Sequence, residues 1–150
     1  MNLGLILQNH VLLTGMVGWI LAQALKIPLD LFREHRWNWA LFFAAGGMPS
    51  SHSSLVTSTA LGVGLHIGFD SPLFAVAVAL AMVVVYDATG VRRQAGKQAE
   101  KINILVEELL KGHPISEEHL REAIGHTPLE AFGGVVLGIV VAFGLWLLWR

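Results

Sequence analysis

The stretch PLEAFGGVVLGIVVAFGLWLLW, Pro128 to Trp149, decides the fold, because it carries no charge after Glu130 and matches the about 20 apolar residues an α-helix needs to cross a bilayer. Leu3 to Leu25 is almost uncharged and Pro72 to Tyr86 is a dense Ala/Val/Leu run, so three membrane spans are expected. A fourth segment, Ser53 to Phe69, is shorter and carries Ser, Thr, Gly and His66; it reads as a span packed against its neighbours rather than against lipid. The 150 residues are 54% hydrophobic and 14% charged, with a mean hydropathy of +0.60, well to the apolar side of soluble domains. The expected fold class is all-α, an integral membrane helical bundle of about four spans forming a single domain over residues 1–150.

Composition also excludes function classes. With no cysteine there is no disulfide, thiolate nucleophile or Cys-based zinc site. A net charge of −1 with no block of like charges gives no case for a nucleic-acid partner. The first segment lacks the basic start of a secretory signal and has Gln8, Asn9, His10 and Gln23 scattered through it, so it reads as a retained helix.

Working outward, the first helix is expected to end near Lys26, where Lys26-Ile27-Pro28 interrupts the apolar run and Asp30, Arg33, Glu34, His35 and Arg36 bring the chain into water. This surface is called face A. Trp37 to Ala45 is too short to cross and reads as a half-membrane or interfacial helix with Trp37 and Trp39 at headgroup level. A helix opening at Pro49 then runs to face B, Phe69-Asp70-Ser71-Pro72 turns the chain, and the next helix returns to face A at Gly90-Val91-Arg92-Arg93. Ile102, Leu105, Leu109 and Leu110 recur at helical spacing among charges, describing an amphipathic surface helix that Gly112 and Pro114 end. Ser116-Glu117-Glu118 opens a shorter helix closed by Gly125, and the last span starts at Thr127-Pro128-Leu129-Glu130. Four crossings put both chain ends on face B.

Lys26, the Pro49 helix start, Arg92, Arg93 and His126 then all land on face A, with most of the Lys and Arg near span ends. By the positive-inside rule that face is cytoplasmic, and the expected location is the plasma (inner) membrane with the site facing the cytoplasm.

On face A one stretch exceeds what packing needs. Gly46-Gly47-Met48-Pro49-Ser50-Ser51-His52-Ser53-Ser54 sets hydroxyls and a histidine at a helix start, where free N–H groups and the helix dipole favour an anion such as phosphate. Its plainer reading is a polar cap. Arg92, Arg93 and Lys26 suit an oxyanion clamp, although each alone is an ordinary interface anchor. Asp87, in the last turn of an apolar helix, is read as orienting Arg92, Arg93 or a histidine, or as a structural ion pair. Thr127 and Glu130 form a capping box with Pro128 at the first helical position. His126 is not needed for that cap; were Glu130 to accept from its Nδ1, Nε2 would be free to attack phosphorus, so two roles compete for one carboxylate. Asp87 to Arg93 is also distantly similar to the signature of membrane enzymes that transfer CDP-linked head groups, but the further aspartates that would hold two metal ions are absent.

Taken together these residues resemble the type 2 phosphatidic acid phosphatase superfamily, which shares its site with vanadium haloperoxidases, and most closely its small divergent membrane branch. Lys26, six residues and Arg33 are similar to the first motif of that family, with Glu34 where a proline is usual. Pro49-Ser50-Ser51-His52 matches the second, with serine replacing glycine. The third is split: Val91-Arg92-Arg93 is followed by His126 only after the amphipathic insertion, and Glu130 replaces an aspartate. The resemblance implies hydrolysis of a lipid phosphate or diphosphate, isoprenoid or phosphatidic-acid-like, with no cofactor and no metal. His126 would be the nucleophile, Glu130 its orienter and His52 the acid, while Lys26, Arg33, Ser50, Ser51 and Arg92 or Arg93 would hold the phosphoryl oxygens. Two other classes fit the residues, a catalytically silent membrane protein that binds anionic lipid and a lipid transporter or flippase; the latter would need a homo-oligomer.

Overall fold

A computed structural model describes residues 3–35, 37, 39–43, 46–109 and 126–150. Among the described residues it holds five α-helices and no strand: α1 (His10–Glu34), α2 (Ser51–Ile67), α3 (Pro72–Thr89), α4 (Val91–Leu109) and α5 (Pro128–Trp149). α1, α5 and the α3–α4 run Pro72–Val106 contain stretches long and apolar enough to cross a membrane. α2, at 17 residues, spans about 26 Å, slightly less than the hydrocarbon core.

Local sequence explains the helix ends. Asn9 caps α1 by accepting from the Leu12 N–H at 3.0 Å, and His35 ends it in the left-handed conformation. Ser71 caps α3 with Pro72 at its first position, and Thr127 with Glu130 forms the expected capping box on α5.

Several boundaries differ from the sequence reading. α1 begins at His10, since Leu3–Gln8 is a 3₁₀ turn, and it continues through Pro28 to Glu34. A mid-helix proline removes one backbone donor, whereas ending the helix there would strand several polar groups beside lipid. Lys26 therefore lies inside the helix rather than at its end, and it is 2% exposed. Pro49 precedes α2 instead of opening it; Ser50 is the cap, accepting from the Ser53 N–H at 3.3 Å. The short segment after α1 is a 3₁₀ turn, Trp39–Phe43, with Trp37 and Trp39 edge to face and exposed. The amphipathic helix starts at Val91, directly after Gly90, earlier than its apolar spacing suggested. The shorter helix expected from Ser116 to Gly125, with Gly112 and Pro114 before it, lies outside the described residues.

α2 is the centre of the bundle, packed on α1, α5 and α3. Its inward face is small and polar: the largest fully buried side chains are Thr14, Ser50, Ser51, Ser53, Ser54 and Ser58. Large apolar side chains such as Phe32, Leu80, Met82, Val83 and Val140 point outward. That inversion suits a bundle in lipid, where burying leucine gains nothing and close backbone approach gains dispersion and hydrogen bonds. Ser54 Oγ donates to the Gly18 carbonyl across α1 at 2.9 Å, and Ser58 Oγ donates to the Ser54 carbonyl at 2.7 Å. On the other flank, a Cβ on Gly138 would meet the Ser54 carbonyl at 2.8 Å, and one on Gly134 would collide with the Ser50 carbonyl.

At one end of the bundle the His10 ring stacks on Trp149 at 4.5 Å and meets His66 edge to face at 5.2 Å, joining the start of α1 to the ends of α2 and α5. The starts of α2 and α5, the end of α3 and Lys26 gather at the opposite end.

Gly134→Ala should lower the thermal unfolding midpoint in detergent by the equivalent of about 1–3 kcal/mol, the usual cost of overpacking. Gly144→Ala, whose Cβ would meet nothing within 4 Å, should leave it unchanged or slightly raised. Equal midpoints for both variants would show that the α2–α5 approach is not tight.

Candidate functional site

The cleft at the Lys26 end is built from backbone first. The Ser50 N–H donates to the Glu130 carbonyl at 3.0 Å, sewing the start of α2 to the first turn of α5. The His126 N–H donates to the Ala88 carbonyl at 3.0 Å, tying the residue before α5 to the last turn of α3. Each bond satisfies a polar group at a helix end, and together they bring His52 and His126 within 6.3 Å, ring centroid to centroid.

Glu130 resolves the competition expected of it by sharing one oxygen. Its Oε2 accepts from the Thr127 N–H at 3.0 Å, closing the capping box, and lies 3.3 Å from His126 Nδ1. An ionised carboxylate only accepts, so the imidazole proton sits on Nδ1 and Nε2 keeps a lone pair. His126 is 2% exposed, and its Nε2 is buried with no hydrogen-bond partner. Burial pushes its pKa below the ordinary imidazole value, with Glu130 opposing that shift and the Lys26 charge adding to it.

The serines separate by role. Ser50 Oγ accepts from the Ser53 N–H and from Ser53 Oγ at 3.1 Å, and Ser54 bonds α1, so these three knit the helix start. Ser51 differs. It is 1% exposed and its Oγ has no hydrogen-bond partner.

Lys26 lies close enough for its charge to act on His52 and His126, and it feels Glu130 in turn. Gly47, at φ 88°, lies over the Lys26 stem, where a glycine is at home in the left-handed region. Asp87 accepts from Arg92 Nε, and both charges reach His52. Arg92 is thus the arginine brought to the cleft, while neighbouring Arg93 is half-buried and makes no such contribution to either histidine. The Arg33 side chain lies outside the described part of the structure. Among the described residues no three His, Asp or Glu side chains group as metal ligands.

Two features escaped the sequence reading. Gln23, treated there as one more scattered polar residue, is 6% exposed with Oε1 unpartnered, and its position one turn before Lys26 was the signal available. An apolar groove of about 800 Å³ runs along α3 between α2 and α5, from Phe74 and Val78 past Thr57 and Val135 to Thr89, next to the Ala88 that holds His126. It is made by three helices, so no single segment displays it.

No solved structure matches the chain. The uncharacterized membrane protein YuiD of Bacillus subtilis (strain 168) is 40% identical over 151 residues, covering 93% of this chain and 96% of that protein. Residues 7–141 match the model of the divergent PAP2 family, which takes in α1, α2, α3, α4, His126 and most of α5, and the chain belongs to that family of membrane proteins.

Proposed function

We propose that this protein hydrolyses a lipid phosphate or diphosphate through a phosphohistidine at His126. The observation that carries the proposal is the state of His126: buried, its Nδ1 turned to Glu130, its Nε2 unpartnered beside a second histidine and a lysine. A buried polar atom without a partner costs free energy, and a ligand hydroxyl donating to this nitrogen, or phosphorus taking its lone pair, would relieve it.

In this mechanism the Nε2 lone pair attacks phosphorus, forming an N–P bond as the P–O bond to the leaving alcohol breaks. His52, protonated, gives its proton to the departing oxygen. Water then attacks the phosphohistidine, His52 takes its proton, inorganic phosphate leaves and His126 is regenerated. Lys26, Ser50 and Ser51 hold the equatorial oxygens, joined by the terminal nitrogens of Arg92 with its Nε set by Asp87. The groove ending at Thr89 takes the substrate's hydrocarbon, which suits an isoprenoid and an acyl chain alike. The location proposed is the plasma membrane, and the positive-inside rule supports an orientation with this site on the cytoplasmic face.

A second reading, an anionic-lipid-binding protein without turnover, draws support from Glu130, whose Oε2 already serves the helix cap. Phosphate release from a panel of lipid mono- and diphosphates by the detergent-solubilised protein, with excess EDTA and with His126→Ala in parallel, separates the two. Release that survives EDTA and falls at least ~10³-fold in the variant is expected. A folded protein that binds phosphate but releases none from any lipid would favour the second reading.

His52→Ala should slow the enzyme about 10²–10⁴-fold on alkyl phosphates and much less on an aryl phosphate whose phenolate needs no proton to leave. The same loss on both would remove His52 from the acid role.

Because burial lowers the His126 pKa, the neutral nucleophile persists below pH 6.5, and the acid limb of kcat/KM attributable to it should fall below that value. Glu130 raises that pKa, so Glu130→Gln should move the limb lower still, while the poorly oriented ring cuts the plateau about 10–100-fold. A limb that moves to higher pH in Glu130→Gln would contradict the assignment.

A further inference from the structure

Among the described residues, three buried side-chain polar atoms have no hydrogen-bond partner: Gln23 Oε1, Ser51 Oγ and His126 Nε2. The phosphoryl site proposed above uses the last two, and Gln23 is left over. Helix register puts it at the same level. α1 and α2 run antiparallel, with Gly18 bonded to Ser54 and the Lys26 stem under Gly47. Gln23 lies between Gly18 and Lys26 on α1, as Ser50 and Ser51 lie between Ser54 and Gly47 on α2. It is also three residues, about 4.5 Å of rise, from Lys26 and on the adjoining part of the same helix face.

An amide oxygen can only accept a hydrogen bond. Among cationic and hydroxyl donors that suit any oxyanion, an added acceptor is a liability unless the ligand brings a proton of its own. A fully deprotonated tetrahedral anion offers only lone pairs and would be opposed by Gln23. A phosphate group with one P–OH would satisfy it, and phosphate monoesters hold that second proton to about pH 6.

We propose that Gln23 is a specificity residue: its amide oxygen accepts a hydrogen bond from the protonated oxygen of the bound phosphoryl group, so that the site selects protonated phosphate over a proton-free oxyanion of the same shape. The inference rests on the cleft being a phosphoryl site. It adds that the site admits the singly protonated form.

The test uses inorganic phosphate and inorganic sulfate as probes, titrated calorimetrically against the full-length protein in detergent at pH 6 and pH 8. The wild type should bind phosphate at least about tenfold more tightly than sulfate at pH 6, the worth of one good hydrogen bond, and should keep that preference at pH 8, where inorganic phosphate still carries one P–OH. Gln23→Met, close in size, should bring the two anions to near parity by weakening phosphate and strengthening sulfate. Gln23→Glu keeps an acceptor, so it should weaken both anions yet retain the preference.

Wild-type protein that binds sulfate as tightly as phosphate at pH 6 overturns the inference without any variant. So does a Gln23→Met protein that discriminates like wild type, or one that weakens both anions equally, the result expected of a structural role or of a donating amide. Protein that binds neither anion overturns the inference and the phosphoryl reading together. Phosphate bound with the expected preference but no lipid turned over leaves Gln23 in its role and removes the hydrolase reading alone.

Discussion

The structure depends on the seam between α2 and α5, where the Ser50 N–H bonds the Glu130 carbonyl and Gly134 lets the two backbones meet. Everything at the candidate site follows from that approach. Ser50 caps α2 with its side chain while its backbone holds α5, so Ser51 and His52 are carried on a helix start whose position relative to His126 is fixed to within hydrogen-bond geometry. A larger residue at Gly134 would separate the two helices and with them the two histidines.

Such a seam is affordable only in a particular solvent. In water, a core of serines and glycines would bury too little apolar area to fold a chain of this size. In lipid there is no penalty for exposed leucine and phenylalanine, and the interior is free for small residues that bring backbones together and for hydroxyls that bond neighbouring carbonyls. Ser54 to Gly18 and Ser58 to Ser54 are bonds of that kind. Against this background the unpaired atoms stand out: when nearly every buried serine among the described residues is employed, Ser51 Oγ, Gln23 Oε1 and His126 Nε2 remain without partners.

In the capping box at α5 one carboxylate oxygen serves two partners. Glu130 Oε2 serves the Thr127 amide and the His126 ring together because the histidine directly precedes the cap. The helix start thereby also sets the orientation of the imidazole. The neighbouring Asp87–Arg92 pair is partly exposed and adds little stability, so its consequence is the position of a guanidinium beside His52.

Hydropathy, proline and glycine spacing and the capping residues were enough to read an all-α membrane bundle, the starts of α3 and α5, and the small-residue character of α2. These are properties of single segments, set by solvent transfer and local hydrogen bonding. The same local signals misplaced the end of α1, because the break expected at Pro28 was overruled by the cost of leaving backbone groups unpaired beside lipid. They grouped Ser50, Ser51, Ser53 and Ser54 as one cluster, whereas partners on α1 and α5 divide them. Gln23 and the groove were invisible for the same reason: whether a polar atom is satisfied, or three helices leave a gap, depends on what the rest of the chain brings to it. Sequence alone determined that this chain enters the membrane and which residues have chemistry to offer; tertiary structure decided which of them have partners already and which have none, because hydrogen-bond satisfaction is a property of pairs that only packing creates.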